Sequence, residues 1–318
     1  PAGGTALATG TRTNNGWLGI DPEENQLESV LKKAQKLGKH TGIVVNTTLT
    51  EATPAAFYAG VKSRSQGYDI AKQFVESGVD VAIGAGLSVF VNRPDSVDLT
   101  AVLIDKGYNV YLDWRSVLET ESEKFVGILP MGDVHRRNKP TTATASAAEG
   151  AEVCLAAKLA AAENEGTSSD EDYLTEPDKY LTKATAKALK LLSSKKGKGY
   201  FLMIESAIID GYGHNNDSDG MIEEMNEFNE TLNMLVDYVY THPRTLLVVT
   251  ADHETGGTGI GYNSYPVGGT SPVKLTFSTK GHTGTLVPVV AYGEGAEEFA
   301  GFMKNTDIPK KIEKLMNR

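Results

Sequence analysis

The chain has 318 residues, of which 40% are hydrophobic and 23% charged, and its net charge is -10. That much apolar content supports a sizeable core and excludes wholesale disorder. The acidic balance argues against nucleic acid as a partner, because a phosphate backbone is bound by basic surface. A single cysteine, Cys154, excludes an internal disulfide, and no apolar run reaches the ~18 residues needed to cross a bilayer.

The chain opens with a Gly-Gly-Thr run in "PAGGTALATG", with no initiator Met and no basic or apolar leader. Gln26 to Leu37 carries apolar residues at helical spacing and stops at Gly38. "TGIVVNT", Thr41 to Thr47, reads as a buried strand. Thr53-Pro54 predicts a helix start with Thr as N-cap and Pro at the first helical position. Arg64 follows about three turns later, on roughly the same helix face. Ile70 to Ser77 reads as a helix stopping at Gly78, and Val79 to Gly86 as a strand. Leu99 to Lys106 is a helix stopping at Gly107, followed by the strand "YNVYL". Ser146 to Ala162 is an Ala-rich helix, and the acidic run after it, beginning at Glu163, a surface loop. Lys179 to Ser193 reads as a helix, Gly199 to Glu205 as a strand and Met221 to Tyr240 as a long amphipathic helix. Thr245 to Asp252, "TLLVVTAD", has the near-continuous apolar character of a central parallel strand, and "LVPVVAYG", Leu286 to Gly293, closes the series. The layout is α/β, with helices sandwiching a mostly parallel sheet and no internal repeat.

Ligands of such sheets bind at the carboxyl ends of the strands. "MIESAIIDGYGH" places Glu205, Asp210 and His214 just after one strand, "VVTADHETGG" places Asp252 and His253 at the end of another, and "STKGHTGTLVPVV" places His282 just before the last. Histidine with carboxylate is a zinc donor set, and carboxylate with hydroxyl a magnesium set. Each group alone has a plainer reading: Asp-His as a turn or helix cap, Glu205 as a satisfied carboxylate, His282 as surface. Their repetition at the strand ends of one sheet favours metal. His40, His135 and His242 sit in Lys-, Arg- or Pro-flanked contexts and read as surface residues. Arg64 could clamp a phosphate bidentately, although a lone arginine is ordinarily solvated.

The segments "ESAIIDGYGHNND", "VVTADHETGG", "GHTGTLVPVVAYG" and "EATPAAFYAGVKSR" resemble the motifs of the alkaline phosphatases, in that family's order and across essentially the whole chain. The resemblance implies a phosphomonoesterase with two Zn2+ and one Mg2+, taking a phosphomonoester and releasing inorganic phosphate, usually dimeric and exported to the periplasm or secreted. It implies Asp210, His214 and His282 as ligands of the first zinc, Asp252 and His253 as ligands of the second, Glu205 and Thr53 as ligands of the magnesium, and Arg64 on the substrate phosphate. It aligns the opening residues directly after an Asp-Ser pair whose Ser is the nucleophile, with a further metal-bridging Asp on an earlier strand. The expectation is therefore one alkaline-phosphatase-like domain over 1–318, N-terminally truncated and inactive alone, with an acidic surface loop at 163–178 and a loop insertion near the site at 256–281. Two positions depart from the resemblance: Gly211, where many relatives carry a larger residue, and Glu51, where relatives carry Asp or His. Two rival readings are a metal-dependent isomerase resembling the cofactor-independent phosphoglycerate mutases and a non-catalytic metal-binding fragment. The "TADHETGG" and "HTG" contexts and the Thr53–Arg64 stretch favour the phosphatase over the mutase.

Overall fold

A computed structural model describes residues 1–130, 179–261 and 274–318. The predicted helix at 146–162, the predicted loop at 163–178 and His135 lie outside these residues. The insertion expected at 256–281 is described only in part.

The centre of the molecule is a five-stranded sheet built from β1 (His40–Thr48), β2 (Val81–Ala85), β3 (Asn109–Tyr111), β4 (Phe125–Leu129) and β5 (Tyr200–Glu205). Its order is β3-β4-β2-β1-β5, and every pairing is parallel. Thr41 to Thr47 and all of β2 and β4 are buried, so these strands are apolar on both faces, as parallel strands covered by helices must be. Alternate residues divide between two cores. Ile43 and Val45 face Leu31, Phe74 and Leu103, which come from α2 (Val30–Lys36), α4 (Gly67–Val75) and α6 (Leu99–Asp105). Val44 and Ile83 face Tyr180, Leu181 and Leu191 on α8 (Tyr180–Ser194), with α7 (Trp114–Glu119) beside it. Gly38 and Gly107 follow α2 and α6 with φ of 77° and 82°, the left-handed conformation that ends a helix most readily when no Cβ is present.

Further helices surround this sheet. They are α1 (Ala2–Thr9), α3 (Ala52–Ala56), the short α5 (Ser88–Val91), α9 (Ile208–Asn215), the 24-residue α10 (Ser218–Thr241) and α11 (Asp307–Met316). Asp217 caps α10, its side chain accepting from Gly220 N at 3.1 Å.

Four local expectations are corrected. Thr53 is not an N-cap: Glu51 caps α3, so Thr53 and Pro54 are its second and third residues. The helix ends at Ala56, and Arg64 lies beyond it, not on its face. The chain turns away because Val61 exchanges two backbone hydrogen bonds with Leu18, both 2.9 Å, and that pairing replaces further helical turns. The run read as a central parallel strand is β6 (Leu246–Thr250), which pairs antiparallel with β11 (Val289–Gly293) in a separate two-stranded sheet and is only half-buried. An apolar run reports burial, not the identity or direction of its neighbours. Here β6 and β5 face each other across a cleft of about 1730 Å³, lined by Leu202 and Ile204 on one side and Leu247 and Val249 on the other. His40 is not simply a surface residue: its ring lies 3.5 Å from Asp80 Oδ1 and 3.2 Å from the Lys196 carbonyl, while His242 is exposed as expected.

Candidate metal centre

Strands of both sheets deliver their polar termini to one place. Glu205 is the last residue of β5, Glu51 and Thr53 follow β1, and Asp252 and His253 follow β6. Helix α9 starts three residues after Glu205. One turn separates its Asp210 from His214, so the two share a face.

His282 comes from β10 (His282–Thr283), which pairs antiparallel with β7 (Glu254–Thr255). The donor atoms of Asp210, His214 and His282 all lie within 4.8 Å of one another. His214 Nε2 is 3.3 Å from Asp210 Oδ2, His282 Nε2 is 3.4 Å from Asp210 Oδ1, and the two Nε2 atoms are 3.2 Å apart. His253 stacks on His282 with centroids 3.6 Å apart, and its Nε2 is 3.2 Å from Asp252 Oδ2. Residues from three separate motifs therefore converge: Asp210, Asp252, His253 and His282 line one cleft together with Glu205, Thr53 and Arg64, and His214 joins them through Asp210 and His282.

The electrostatics favour a cation there. Burial is the main cause that lifts the Glu205 carboxyl to about 7. The neighbouring Asp252 and Asp210 charges add to the rise, while Thr53 and Arg64 oppose it. Its Oε2 is buried without a hydrogen-bond partner, a cost relieved by a positive charge. His282 is held below the ordinary histidine range, first by burial and then by His253, with His214 adding to the effect; a neutral imidazole is the ligating form. His214 Nδ1 lies 2.6 Å from the Lys280 carbonyl. Donation from Nδ1 leaves Nε2 as the free lone pair aimed at Asp210 and His282. The donor chemistry and the orphaned carboxylate oxygen both fit bound divalent metal.

Arg64 reaches the same cleft and forms an ion pair with Glu51. Glu51 thus fixes the guanidinium while its side chain also accepts from Ala52 N at the start of α3. Pro1, at the head of α1, lines the cleft within electrostatic reach of Arg64, Asp252, Asp210 and Glu205.

Several supporting residues escaped the sequence reading. The Thr255 hydroxyl donates to Asp210 Oδ1 at 2.5 Å and lies 3.2 Å from His253 Nδ1, joining two motifs. The Glu254 carboxylate accepts from Gly257 N at 3.2 Å, from Thr258 N at 2.7 Å and from the Thr283 hydroxyl, and so pins the strand that carries His282. Gly3 and Gly4 let α1 abut the site: a Cβ at Gly3 would lie 2.9 Å from the Asp252 carbonyl oxygen, and one at Gly4 3.2 Å from Thr53 Cα. The one available signal was the glycine pair at a helix start, and a single sequence does not say what such glycines approach.

The fold and these motifs define a class, an α/β protein with a histidine–carboxylate centre at the carboxyl edge of its sheet. The sequence profile of the family described as "Alkaline phosphatase" matches residues 1–276, and the chain belongs to that family. It is similar to alkaline phosphatase 4 of Bacillus subtilis (strain 168), 26% identical over 99% of this chain and 76% of the relative. It is also similar to the streptomycin-6-phosphate phosphatase of Streptomyces griseus, 28% identical over 96% of this chain and 75% of the relative. Among solved structures, the alkaline phosphatase from the Antarctic bacterium TAB5 superposes with a TM-score of 0.78 at 30% identity, covering 99% of this chain and 83% of that one. A variant of the TAB5 enzyme was solved with Mg bound in the M3 site. Family, fold and a metal-bearing relative together support a metal-dependent phosphatase.

Proposed function

We propose that this chain carries the metal and phosphate sites of an alkaline phosphatase that hydrolyses phosphate monoesters through a phosphoserine. The observation that carries the reading is the Asp210–His214–His282 cluster closing beside Asp252, His253 and Glu205. Asp210, His214 and His282 would hold the first Zn2+, Asp252 and His253 would contribute to the second, and Glu205 and Thr53 to one Mg2+. When bound, such ions lower the pKa of a coordinated hydroxyl or water and neutralise charge on a departing oxygen.

The chain's own residues do the rest. Arg64 clamps two nonbridging phosphate oxygens with its planar guanidinium, held in register by Glu51. The N-terminal turn of α1 presents backbone N–H groups to the phosphate. A serine joined to Pro1 would sit at that turn and inside the cleft, in place to attack phosphorus in line with the leaving alcohol. Thr255 and Lys280 keep Asp210 and His214 oriented. Homodimerisation and a periplasmic or extracellular location are proposed on the family resemblance.

The test is phosphate release from a simple aryl phosphate by a chain extended at its N-terminus to carry an Asp-Ser pair ahead of Pro1 and the earlier strand that bears the metal-bridging Asp. Hydrolysis that is abolished by a chelator, restored by zinc and magnesium, and lost when that Ser is changed to Ala is the expected result. A zinc-loaded extended chain that folds but releases no phosphate overturns the reading. A chelator-sensitive isomerisation of phosphoglycerate, with no net hydrolysis, would replace it with the mutase.

A further inference from the structure

Behind the candidate centre lies a buried polar cluster that the proposed chemistry does not use. It joins β1, α10 and the two-residue turn between β5 and α9. Asn46 on β1 is fully buried, and Glu224 on α10 is 5% exposed. Asn46 Nδ2 donates to Glu224 Oε1 at 2.5 Å, and the Ser206 hydroxyl donates to the same oxygen at 2.8 Å. Asn46 Oδ1 accepts from Ala207 N at 2.8 Å, and its Nδ2 lies 3.5 Å from Ser206 Oγ.

The orientation of this cluster follows from its donors. Ala207 N–H can only donate, so the oxygen of Asn46 must face it. The Asn46 NH2 group must then face Glu224, whose Oε1 accepts from two donors at once. Burial raises the Glu224 carboxyl, and these bonds from Ser206 and Asn46 oppose the rise.

The turn that the cluster holds is the piece of backbone on which the centre depends. Ser206 and Ala207 separate Glu205, the last residue of β5, from Ile208, the first of α9, which carries Asp210 and His214. Ala207 is the N-cap of α9 and supplies no side-chain cap. Asn46 takes up the amide of Ala207 from a neighbouring strand, and Glu224 locks Asn46 in the orientation that does so.

We propose that Glu224, acting through Asn46 and Ser206, is a positioning residue that fixes α9 relative to β5 and thereby sets the zinc affinity of the Asp210–His214–His282 site. The proposal rests on the metal reading above, and its test separates the two. Zinc affinity is measured by titration of the metal-free chain, and exchange of the Ala207 amide by hydrogen–deuterium exchange. Glu224→Ala should weaken zinc binding about 10- to 100-fold, the usual effect of removing an outer hydrogen-bond partner, and should speed Ala207 exchange. Glu224→Gln keeps a carbonyl oxygen for both donors and should stay within about threefold of wild type in each measurement, since the lost charge is not what holds the turn. Thr231→Val is the stability control: it breaks the 2.8 Å Thr182–Thr231 hydroxyl contact on the same helix, well away from the turn.

Zinc affinity in Glu224→Ala no lower than in Thr231→Val overturns the proposal. So does unchanged Ala207 exchange, or a Glu224→Gln variant as impaired as Glu224→Ala. If zinc binds the wild type no more tightly than it binds His214→Ala, the metal reading fails. In that event faster Ala207 exchange in Glu224→Ala still establishes the hold on the turn, and the link to zinc is refuted.

Discussion

Gly3→Ala tests whether α1 is built to touch the candidate metal centre. The added Cβ would meet the Asp252 carbonyl oxygen at 2.9 Å, Asp252 Oδ2 at 3.0 Å and Asp252 Cβ at 3.1 Å, whereas ordinary contact begins at 3.4 Å. The two must therefore separate by 3.4 minus 2.9, or 0.5 Å. Helix α1 cannot easily yield, because Thr5 and Ala8 are fully buried and Thr5 Oγ1 accepts from Gly19 N at 3.2 Å. Asp252 must move instead, taking a candidate ligand out of place. Overpacking of this size costs about 1–3 kcal/mol, against a gain of up to about 1 kcal/mol from replacing a helical glycine by alanine. Gly211→Ala in α9 makes the same chemical change with nothing within 4 Å of the new Cβ, so it should be neutral or stabilising by up to about 1 kcal/mol. Urea unfolding and zinc titration of both variants form the assay. Gly3→Ala should lose stability and weaken zinc binding, while Gly211→Ala should do neither. A Gly3→Ala protein as stable as Gly211→Ala, with wild-type zinc affinity, would refute the reasoning.

Arg64→Ala should weaken inhibition by inorganic phosphate by about 1.5–3 kcal/mol, the size of a lost charge-assisted hydrogen-bond set; an unchanged inhibition constant in the intact enzyme would remove Arg64 from the phosphate site. Zinc titration of the metal-free chain should show one tight event, abolished by His282→Ala, ahead of a weaker one that depends on His253. The first cluster has three convergent donors and the second only two, so equal affinities would contradict that assignment. In the metal-free protein Glu205 should make stability depend on pH. Its carboxyl titrates near 4.5 when unfolded and is raised to about 7 when folded, so the unfolded state loses its proton first and stability falls as pH rises between those values. The span is about 3 kcal/mol, from about 2.5 pKa units at 1.36 kcal/mol each. Glu205→Gln should flatten the curve, and a wild-type curve that rises through this window would exclude a buried, protonated Glu205.

How far the sequence could be read depended on whether a residue's environment was local. The apolar runs that became β1 and β5 and the periodic stretches that became α8 and α10 were legible because burial on two faces, or on one stripe, leaves its period in the chain. β4 carries an equally apolar run, "FVGIL", but it is five residues long and follows the polar 119–124 segment with no turn glycine to frame it. β6 was legible as a strand and misread in its pairing, since hydrophobicity does not encode which edge a strand meets. The Thr53–Pro54 helix start was shifted because Glu51 competes for the cap through its own hydrogen bond to Ala52 N at 3.2 Å. Arg64 left the helix face because the Leu18–Val61 pairing, more than forty residues apart, outweighs local periodicity.

The candidate site divides in the same way. Asp210, His214, Asp252, His253 and His282 stood out because a carboxylate or imidazole at the end of an apolar strand has little structural reason to be there. The residues that orient them did not stand out, because Thr255, Glu254, Asn46 and Glu224 are ordinary residue types whose partners are set only by folding. Thr255 shows what this implies for the centre. Its hydroxyl donates to Asp210 and meets His253, so one threonine couples the position of a candidate ligand on α9 to a candidate ligand that follows β6. The two strands behind those ligands share no hydrogen bonds, being separated by the cleft. Side chains at the rim bridge that cleft, through the Thr255–Asp210 bond and the contacts of His282 with Asp210 and His214, while α10 packs against both α8 and the β6–β11 pair. A metal held by Asp210, His214 and His282 would tighten the same contacts. The centre is then both a product of the fold and a link between the sheet that holds β5 and the strand pair that holds β6.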